Sequence, residues 1–424
     1  MKTVQFGVIG SGSIFTPELT DLLAQSIHVF GRIVLKMMDI DQARQQTVGG
    51  LCQRIIQKYG VPIEVQYVDS YQQAIAGSDY ILVQFRVGGE DARIADELLG
   101  KKYRIPFVET VSVCGFATFL RTYYEVEKIA PLIVAYAPDA WVLNFANPAG
   151  LVAEALSRHG VKKVIGVCNA STRLLQFLQK KLDFTWDNQV YMNWRGLNHL
   201  TVVDRFEVDG KNRFPEILQT LADYESDRIP FPAALVKKLG FLPNQYFQYY
   251  YLERSIVQKE QTAGQVRSQL VKEINAALLA QYKTIDYVPE GLTKRGGSGY
   301  SRTVVEVIRS LFTGDNKIHY IVTQNRGAIP ELPYDGFVEA PCAVGKDRVH
   351  PIACEKLPAV AASLIRTMKD YETLLLQAAQ SRDCEGLYRS LMLHPLIGCH
   401  CVAEPLLHDV LCENQAFLPA ELKE

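Results

Sequence analysis

Short apolar runs alternate with amphipathic helical patterns through the first half of the chain. Runs of this kind, bounded by turn residues, are typical of strands that are buried on both faces of a sheet. The runs lie at residues 4–9, 33–38, 80–87, 141–145 and 164–167. Because helical patterns separate them, we predict parallel strands that are joined by crossover helices.

The pattern changes near residue 195. Apolar runs then follow each other closely, and a turn at Asp209-Gly210 ends one of them, which is typical of hairpins. The later strand and helix patterns occupy residues 189–194, 199–208, 318–323, 337–344 and 357–424. We therefore predict an α/β fold, with a Rossmann-like doubly wound parallel sheet in residues 1–195 and a second, α+β lobe in residues 196–424.

A glycine-containing turn follows the first predicted strand and precedes a helix that begins at Thr16-Pro17. The backbone of Gly10, Gly12, Ser13 and Ile14 lies where N–H groups reach a pyrophosphate in dinucleotide-binding folds. Asp39 ends the second strand, where an acid binds the ribose 2′-OH of NAD and repels the 2′-phosphate of NADP. A plain tight turn and a solvated Asp39 are the alternatives, and we predict NAD binding.

Polar residues also follow two later strands. Asn147-Pro148 comes after the run at 141–145, and Cys168-Asn169 comes after the run at 164–167. Because ligands bind at the carboxyl ends of strands in open α/β sheets, we expect Asn147, Cys168 and Asn169 to line an active site.

Composition narrows the class of protein. The chain has 424 residues, with 45 Lys and Arg against 46 Asp and Glu, a net charge of −1. That balance disfavours nucleic acid or an anionic membrane as a partner. The amino terminus lacks the features of a signal peptide, and no apolar run is long enough to span a bilayer. Nine scattered cysteines indicate a reducing compartment, so we expect a cytoplasmic protein.

Histidines occur as candidate metal ligands in two parts of the chain. By itself, His199 is more typical of a hydrogen-bonded core residue than of a ligand, although a thiolate and a histidine together can bind a divalent ion. Near the carboxyl terminus, cysteines and histidines form a second cluster whose spacing fits no closed zinc pattern. Its members are His394, Cys399, His400, Cys401 and His408. A packed helical tail is the better explanation of that cluster.

Taken together, the motifs resemble glycoside hydrolase family 4, whose members depend on NAD and a divalent metal. The residues from Pro138 to Cys168 match the signature of that family at Ala140, Val142, Leu143, Asn144, Asn147, Pro148, Ala153, Lys163, Ile165 and Gly166. Further similar segments are GSGSIFTPEL, FRVGGEDARIADE, GLNH, YFQYY, KRGG and RGAIPELP. The last two resemble the 6-phospho-β-glucosidase branch, and the matches cover almost the whole chain.

The resemblance implies hydrolysis by elimination, outside the two-carboxylate rule of most glycosidases. NAD oxidises C3 of the sugar, a base removes the acidified C2 proton, the aglycone leaves C1, water adds, and the hydride returns. Cys168 and His199 would hold the metal, for which Mn²⁺ is the family expectation. That ion would act as a Lewis acid on the sugar oxygens.

The resemblance also assigns roles to other residues. Tyr246 would be the C2 base, with Tyr249 and Tyr250 left open as alternatives. Asn169 is assigned to catalysis and to sugar binding. The remaining substrate ligands would be Asn147 and Arg93 for the sugar hydroxyls and Arg267 for the 6-phosphate.

These assignments predict an NAD-binding domain in residues 1–195 and a domain for substrate, metal and oligomer contacts in residues 196–424. The substrate would be a phosphorylated disaccharide, and the family implies a homodimer or homotetramer. Open alternatives are a 6-phospho-α-glucosidase, an α-galactosidase, a lactate- or malate-type dehydrogenase, and a non-catalytic protein that senses NAD or binds a sugar phosphate.

Overall fold

The first six strands are parallel and lie side by side in one sheet. The structure is a computed structural model that describes residues 3–185, 187–220, 229–297 and 299–423. These strands are β1 (Thr3–Ile9), β2 (Arg32–Met38), β3 (Ile63–Val68), β4 (Tyr80–Val83), β5 (Trp141–Asn144) and β6 (Val164–Gly166). Their spatial order is β3-β2-β1-β4-β5-β6, and every neighbouring pair is parallel. This order is that of a Rossmann sheet, which confirms the predicted fold class.

Helices cover both faces of this sheet. They are α1 (Thr16–Gln25), α2 (Ile27–Phe30), α3 (Gln42–Tyr59), α4 (Tyr71–Ile75), α5 (Gly89–Tyr103), α6 (Ser112–Tyr136), α7 (Ala149–Arg158) and α8 (Ala170–Leu182). In β4, Ile81 and Val83 join a core that includes α6 and α7, whereas Tyr80 and Leu82 join a core that includes α1 and α3. Alternate residues of a strand point to opposite faces, so β4 is buried on both.

The second lobe extends the same sheet with antiparallel strands. Its strands are β7 (Val190–Met192), β8 (Arg195–Leu197), β9 (Leu200–Val203), β10 (Phe206–Val208), β11 (Lys211–Asn212), β12 (Leu242–Pro243), β13 (Lys317–Gln324), β14 (Phe337–Gly345) and β15 (Arg348–Pro351). Beyond β6 the sheet continues as β13-β14-β8-β9-β12, with β15 paired to β14. Strands β11, β10 and β7 form a separate small sheet. The division after residue 195 remains a prediction, and β8 spans that position.

The helices of the second lobe pack around these strands. They are α9 (Phe214–Thr220), α10 (Ala233–Leu239), α11 (Gln248–Tyr251), α12 (Glu253–Thr262), α13 (Arg267–Tyr282), α14 (Leu292–Arg295), α15 (Tyr300–Thr313), α16 (Ala359–Ser381), α17 (Cys384–Leu393) and α18 (His400–Glu413). Short 3₁₀ turns cover Gln245–Phe247 and Ala420–Leu422. Among the described residues, no helix is both long and apolar enough to cross a bilayer.

Two predicted strands were wrong in extent. The run at 80–87 leaves the sheet after Val83, where the chain passes over Gly10. The run at 199–208 divides into β9 and β10 at Asp204, whose carboxylate binds the Arg195 guanidinium with two contacts of 2.7 Å. At the other end of the run, His199 lies in the turn between β8 and β9 and not in a strand.

Candidate active site

The turn after β1 needs glycine for its close approach to the next loop. Gly10 has φ +85°, and a Cβ on it would lie 2.6 Å from the Phe85 nitrogen. The N–H groups of Gly10 and Ser11 donate to the Met38 carbonyl at 2.9 and 3.0 Å. The backbone of this turn is therefore hydrogen-bonded directly to the end of β2, and no side chain separates the turn from that strand.

Asp39 lies directly against this turn. One oxygen of its carboxylate accepts from the Gly12 N–H at 2.7 Å, and the other accepts from the Asp41 N–H at 3.0 Å. A Cβ on Gly12 would lie 2.8 Å from the Asp39 carboxylate. The glycine turn, the helix N-terminus beside it and the half-buried acid fit a dinucleotide with a free ribose 2′-OH.

The second lobe supports the same turn. The Tyr282 hydroxyl donates to the Ile14 carbonyl at 2.7 Å, and the Ile14 side chain is buried in the core. The Ser13 N–H donates to the Gly10 carbonyl at 3.1 Å. Ser13 and Ile14 thus hold the shape of the turn, and contact of their backbone with a cofactor remains a prediction.

Asn147 occupies the turn between β5 and α7. The Asn144 side chain shapes that turn, because its amide donates to the carbonyls of Ala146 and Ala149 and its carbonyl accepts from the Ala146 N–H. Asn147 is half-buried, and its peptide bond to Pro148 is cis. Pro148 and His199 line the same small cavity, so the structure brings this turn next to the second lobe.

Cys168 lies just after β6 and is buried. Burial, and after it the charge of Glu339, raises the pKa of the Cys168 thiol to about 12. Hydrogen bonds from the Ala170 N–H, the Asn198 side chain and the Tyr300 hydroxyl act in the opposite direction. A bound divalent cation would stabilise the thiolate in the same way as these donors, and much more strongly.

A two-residue hairpin between β8 and β9 presents Asn198 and His199. Leu197 pairs with Leu200, and His199 has φ +69°, a backbone conformation that residues other than glycine rarely adopt. Its Nδ1 lies 2.5 Å from the Thr110 Oγ1, which orients the ring and leaves Nε2 as the ligating nitrogen. Burial lowers the pKa of His199 to about 4, with Glu109 opposing, so the imidazole is neutral near neutral pH.

Tyr246 packs face to face on His199. Their ring centroids are 3.9 Å apart and their planes differ by 8°. The Asn244 side chain accepts from the Tyr246 N–H at 3.0 Å and so sets the start of this 3₁₀ turn. Burial, followed by the Cys168 and Tyr249 charges, raises the pKa of Tyr246 well above its ordinary value. Cys168, His199 and Tyr246 therefore share one buried environment.

The donor chemistry of Cys168 and His199 fits a divalent ion. A thiol with three hydrogen-bond donors around it and a neutral imidazole held through Nδ1 are both prepared to ligate. In the described ranges, no group of three or more His, Cys, Asp or Glu side chains could hold a metal. A site with these two protein ligands would leave coordination positions for substrate oxygens and water.

Three arginines and two glutamates form a cluster beside this group. Arg86 pairs with Glu109, Arg93 Nη1 lies 3.5 Å from Glu90 and 3.8 Å from Glu109, and Arg295 Nη2 lies 3.2 Å from Glu90. Although burial opposes it, the guanidinium groups of Arg86, Arg93 and Arg295 hold the pKa of Glu109 well below its usual range. The Arg93 side chain is buried, and its geometry is held by carboxylates.

The position of α5, which carries Arg93, is determined by a second buried ion pair. Asp96 accepts from Arg121 of α6 in a two-point contact at 3.0 and 2.6 Å. Glu97 accepts from Arg93 at 3.0 Å and from both the N–H and the hydroxyl of Ser268. The start of α13 is thereby attached to α5.

Arg267, the predicted phosphate ligand, begins α13 and is exposed. Its Nη2 donates to the carbonyls of Lys294 and Arg295 at 3.3 and 3.1 Å. Arg295 also lies over the Phe15 ring, 5.2 Å from its centroid. Phe15 in turn is 6.4 Å from Tyr300 by ring centroids, and Tyr300 donates to Cys168. A chain of contacts thus runs from Arg295 of α14 through Phe15 and Tyr300 to Cys168.

Asn169 precedes the first residue of α8 and is buried. It lies beside Cys168 in sequence, at the carboxyl end of β6, as predicted. The structure therefore brings Gly12 and Asp39 together at the glycine turn, and it brings Cys168, His199 and Tyr246 together at a second place. Arg267 belongs to neither group, because its contacts are to the carbonyls of Lys294 and Arg295. Their individual roles remain predictions.

Sequence reasoning missed Glu339 on β14. Its carboxylate is fully buried and accepts from Trp194 Nε1 and from Asn198 Nδ2, both at 2.8 Å. Burial raises the pKa of Glu339 to about 7, and these two hydrogen bonds oppose the rise. The available signal was a lone acid inside an apolar strand, because unpaired carboxylates are rarely buried.

Glu109, Arg86 and Tyr300 were also missed as site residues. Arg86 offered a signal, since a cation ends an otherwise apolar run. Glu109 and Tyr300 lie in loops or at a helix start, where no periodicity marks them. Only the contact of Arg86 with Glu109 and of Tyr300 with Cys168 identifies their place.

Comparisons with known proteins identify the family of the chain. The family models for the family 4 glycosyl hydrolase and for its C-terminal domain match residues 5–184 and 194–397. The 6-phospho-beta-glucosidase of Escherichia coli (strain K12) is 30% identical over 439 residues, with 98% of each chain covered.

Solved structures are also similar. A structure of the 6-phospho-beta glucosidase from Thermotoga maritima, which contains manganese, NAD+ and glucose-6-phosphate, superposes with a TM-score of 0.91 and has 31% sequence identity. The match covers 98% of this chain and 99% of that one. Cryptosporidium parvum malate dehydrogenase shares the fold alone, with a TM-score of 0.55 and 16% identity over 90% of this chain and 100% of its own. The sequence motifs, the strand order and these full-length matches together establish that the chain belongs to family 4 of the glycosyl hydrolases.

Proposed function

We propose that this protein hydrolyses 6-phospho-β-glucosides with NAD and a divalent cation, for which Mn²⁺ is the first choice. The observation that carries the proposal is the packing of Tyr246 on His199 beside the buried Cys168 thiol. This packing supports Tyr246 as a base, because it stacks on one candidate metal ligand, His199, and is close enough to feel the charge of the other, Cys168. When bound, NAD would supply a hydride acceptor for C3 and the cation would supply Lewis acidity at the sugar oxygens.

Asp39 supports NAD as the cofactor. Two backbone N–H groups next to the glycine turn hold its carboxylate and orient it for a ribose hydroxyl. A 2′-phosphate at this position would meet that negative charge. The N–H groups of the turn and of the first turn of α1 would bind the pyrophosphate.

Tyr246 is our choice for the group that removes the C2 proton. Its phenol is neutral at physiological pH when no cation is present, because burial raises its pKa. A cation held by Cys168 and His199 would favour the phenolate. Tyr250 is a weaker choice, since its hydroxyl contacts the Met368 sulfur at 3.6 Å. Tyr249 is also a weaker choice, since its ring packs beside Tyr246, with 6.1 Å between the ring centroids, and Tyr246 is the ring that stacks on His199.

A group of cations at the end of α14 supports a phosphorylated substrate. The Arg267 side chain donates there to the carbonyls of Lys294 and Arg295, so three cationic residues lie close together. Burial, followed by the charge of Arg86, lowers the pKa of Arg295, so an anion bound beside it would relieve the repulsion between cations. Arg93 and Asn147 would bind sugar hydroxyls, with Asn169 beside the metal.

The β-linked preference rests on Asn169. A carboxylic acid at this position would donate a proton to a leaving group, whereas an amide cannot. This difference, together with the KRGG and RGAIPELP segments, favours β-linked over α-linked substrates.

A panel of four p-nitrophenyl glucosides tests the proposal: α- and β-linked, each with and without the 6-phosphate. Each is assayed with Mn²⁺, NAD and a reductant. We expect release of p-nitrophenol from the phosphorylated β-glucoside only, with no net NADH. Hydrolysis of the α-linked compound would move the specificity to the other anomer. Net NADH from 2-hydroxy acids would favour a dehydrogenase, and no turnover at all would favour a binding protein.

A further inference from the structure

The amino terminus of α18 carries two thiols side by side. Cys399 precedes the helix, Cys401 lies in its first turn, and their sulfur atoms are 2.8 Å apart. Both side chains are exposed. Both sulfur atoms lie outside the sheet and outside the candidate active site.

The two thiols differ in acidity. Hydrogen bonds from the Cys401 thiol, and then from the backbone N–H groups of Cys401 and Val402, lower the pKa of Cys399. The first effect is reciprocal and raises the pKa of Cys401. The 14-residue helix adds a partial positive charge at the same end. Cys399 is therefore the better thiolate and Cys401 the neighbouring thiol.

Surrounding residues leave the pair without a third ligand. The His400 ring is turned to Tyr388, 3.0 Å from its hydroxyl, and to Glu404 at 3.2 Å. Across the described ranges, no three His, Cys, Asp or Glu side chains are grouped as metal ligands. The tail is helical, as predicted, and is formed by α17 and α18.

We propose that Cys399 and Cys401 form a thiol–disulfide exchange site for small disulfides such as glutathione disulfide. The Cys399 thiolate attacks one sulfur of the small disulfide, which breaks its S–S bond and releases one glutathione thiolate. Cys401 then loses its proton and attacks the Cys399 sulfur of the mixed disulfide, which releases the second glutathione. The protein loses two electrons and two protons, and the small disulfide is reduced to two thiols.

The exposed pair reacts in preference to the Cys168 thiol, because a small disulfide reaches only accessible sulfur atoms. Cys168 is buried, whereas Cys399 and Cys401 are both exposed. Cys168 therefore reacts slowly under conditions that oxidise the pair. The proposal does not depend on the glycosidase activity.

Mass spectrometry of the full chain tests the proposal. A Cys412→Ser background is used, since trypsin cuts after Arg389 and next after Lys423 and the resulting peptide would otherwise hold three cysteines. After reaction of the folded, reduced protein with glutathione disulfide, we expect this peptide to lose two hydrogens. In the same background, Cys401→Ser should retain one glutathione on Cys399, and Cys399→Ser should react about tenfold more slowly.

Cys384, which is exposed in the first turn of α17, is the internal control. Alkylation by iodoacetamide at neutral pH should be about tenfold faster at Cys399 than at Cys384. Equal alkylation rates would overturn the assignment of Cys399 as the attacking thiolate. A doubly glutathionylated peptide, or a peptide that stays reduced while Cys384 reacts, would overturn the exchange site itself.

Discussion

The two halves of the candidate site are held together in different ways. At the cofactor turn, backbone groups of one strand–turn–helix unit make most of the contacts, such as the Gly12 N–H to Asp39. Around Cys168, side chains from distant segments meet, and Asn198 links Cys168 to Glu339 on β14. The candidate NAD site therefore depends on local geometry, whereas the candidate metal and sugar sites depend on how distant segments pack together.

The largest expected effect separates these halves directly. Cys168→Ser should lower metal-dependent hydrolysis at least about 1,000-fold, because the neutral serine hydroxyl replaces the anionic thiolate, one of only two proposed protein ligands of the ion. NAD affinity, measured by calorimetry, should remain within about twofold, since no contact of the glycine turn changes. Full activity in this variant would remove Cys168 from the metal site, and loss of NAD binding would show that the halves are not separate.

Tyr246→Phe should have the next largest effect. Removing the phenol should slow exchange of the C2 proton with solvent deuterium about 100-fold, a typical loss for a general base. The ring still packs on His199, so the fold and metal affinity should persist. Tyr250→Phe is the matched control, because that tyrosine contacts Met368. If the control variant stops exchange and Tyr246→Phe does not, the base is Tyr250.

Asp39→Asn should alter only the cofactor half. We expect NAD affinity to fall about tenfold and the preference for NAD over NADP to weaken, because the repulsion of a 2′-phosphate is removed. Asp41→Asn is the control, since Asp41 caps α3 through the Arg44 N–H at 3.0 Å and asparagine keeps that acceptor, so both stability and cofactor preference should stay nearly unchanged. Unchanged NADP discrimination in Asp39→Asn would contradict the ribose assignment.

The smallest expected effect concerns the phosphate. Arg267→Gln should raise KM for a phosphorylated glucoside about fivefold with little change in kcat, because one exposed cation contributes modestly to binding. Lys272→Gln, which replaces another exposed cation of α13 that pairs with Asp91, is the control. An equal rise in KM for both variants would indicate a general electrostatic effect and no phosphate contact by Arg267.

Sequence periodicity was sufficient for the parallel sheet. Apolar runs such as 33–38 matched real strands, because buried strands must be continuously apolar. The run at 80–87 extended too far, since the loop that passes over Gly10 is also apolar. Apolar character alone does not distinguish a strand from a buried loop.

The arginine–glutamate cluster could not be predicted in the same way. Glu90 and Arg295 are far apart in the chain, yet their side chains are 3.2 Å apart. Neither residue belongs to a periodic pattern that signals its partner. Their pairing depends on how α14 packs against the start of α5, which is a property of tertiary packing.

Local sequence patterns were enough to predict the strand–helix alternation, the glycine turn with Asp39, and the polar residues Asn147 and Cys168 at strand ends. These features depend on neighbouring residues and on the geometry of parallel sheets. The folded chain was needed to show that His199 lies in a strained hairpin against Tyr246 and that Glu339 supports Asn198. Those contacts join residues far apart in sequence, and burial, which only the folded chain defines, sets their charges and orientation.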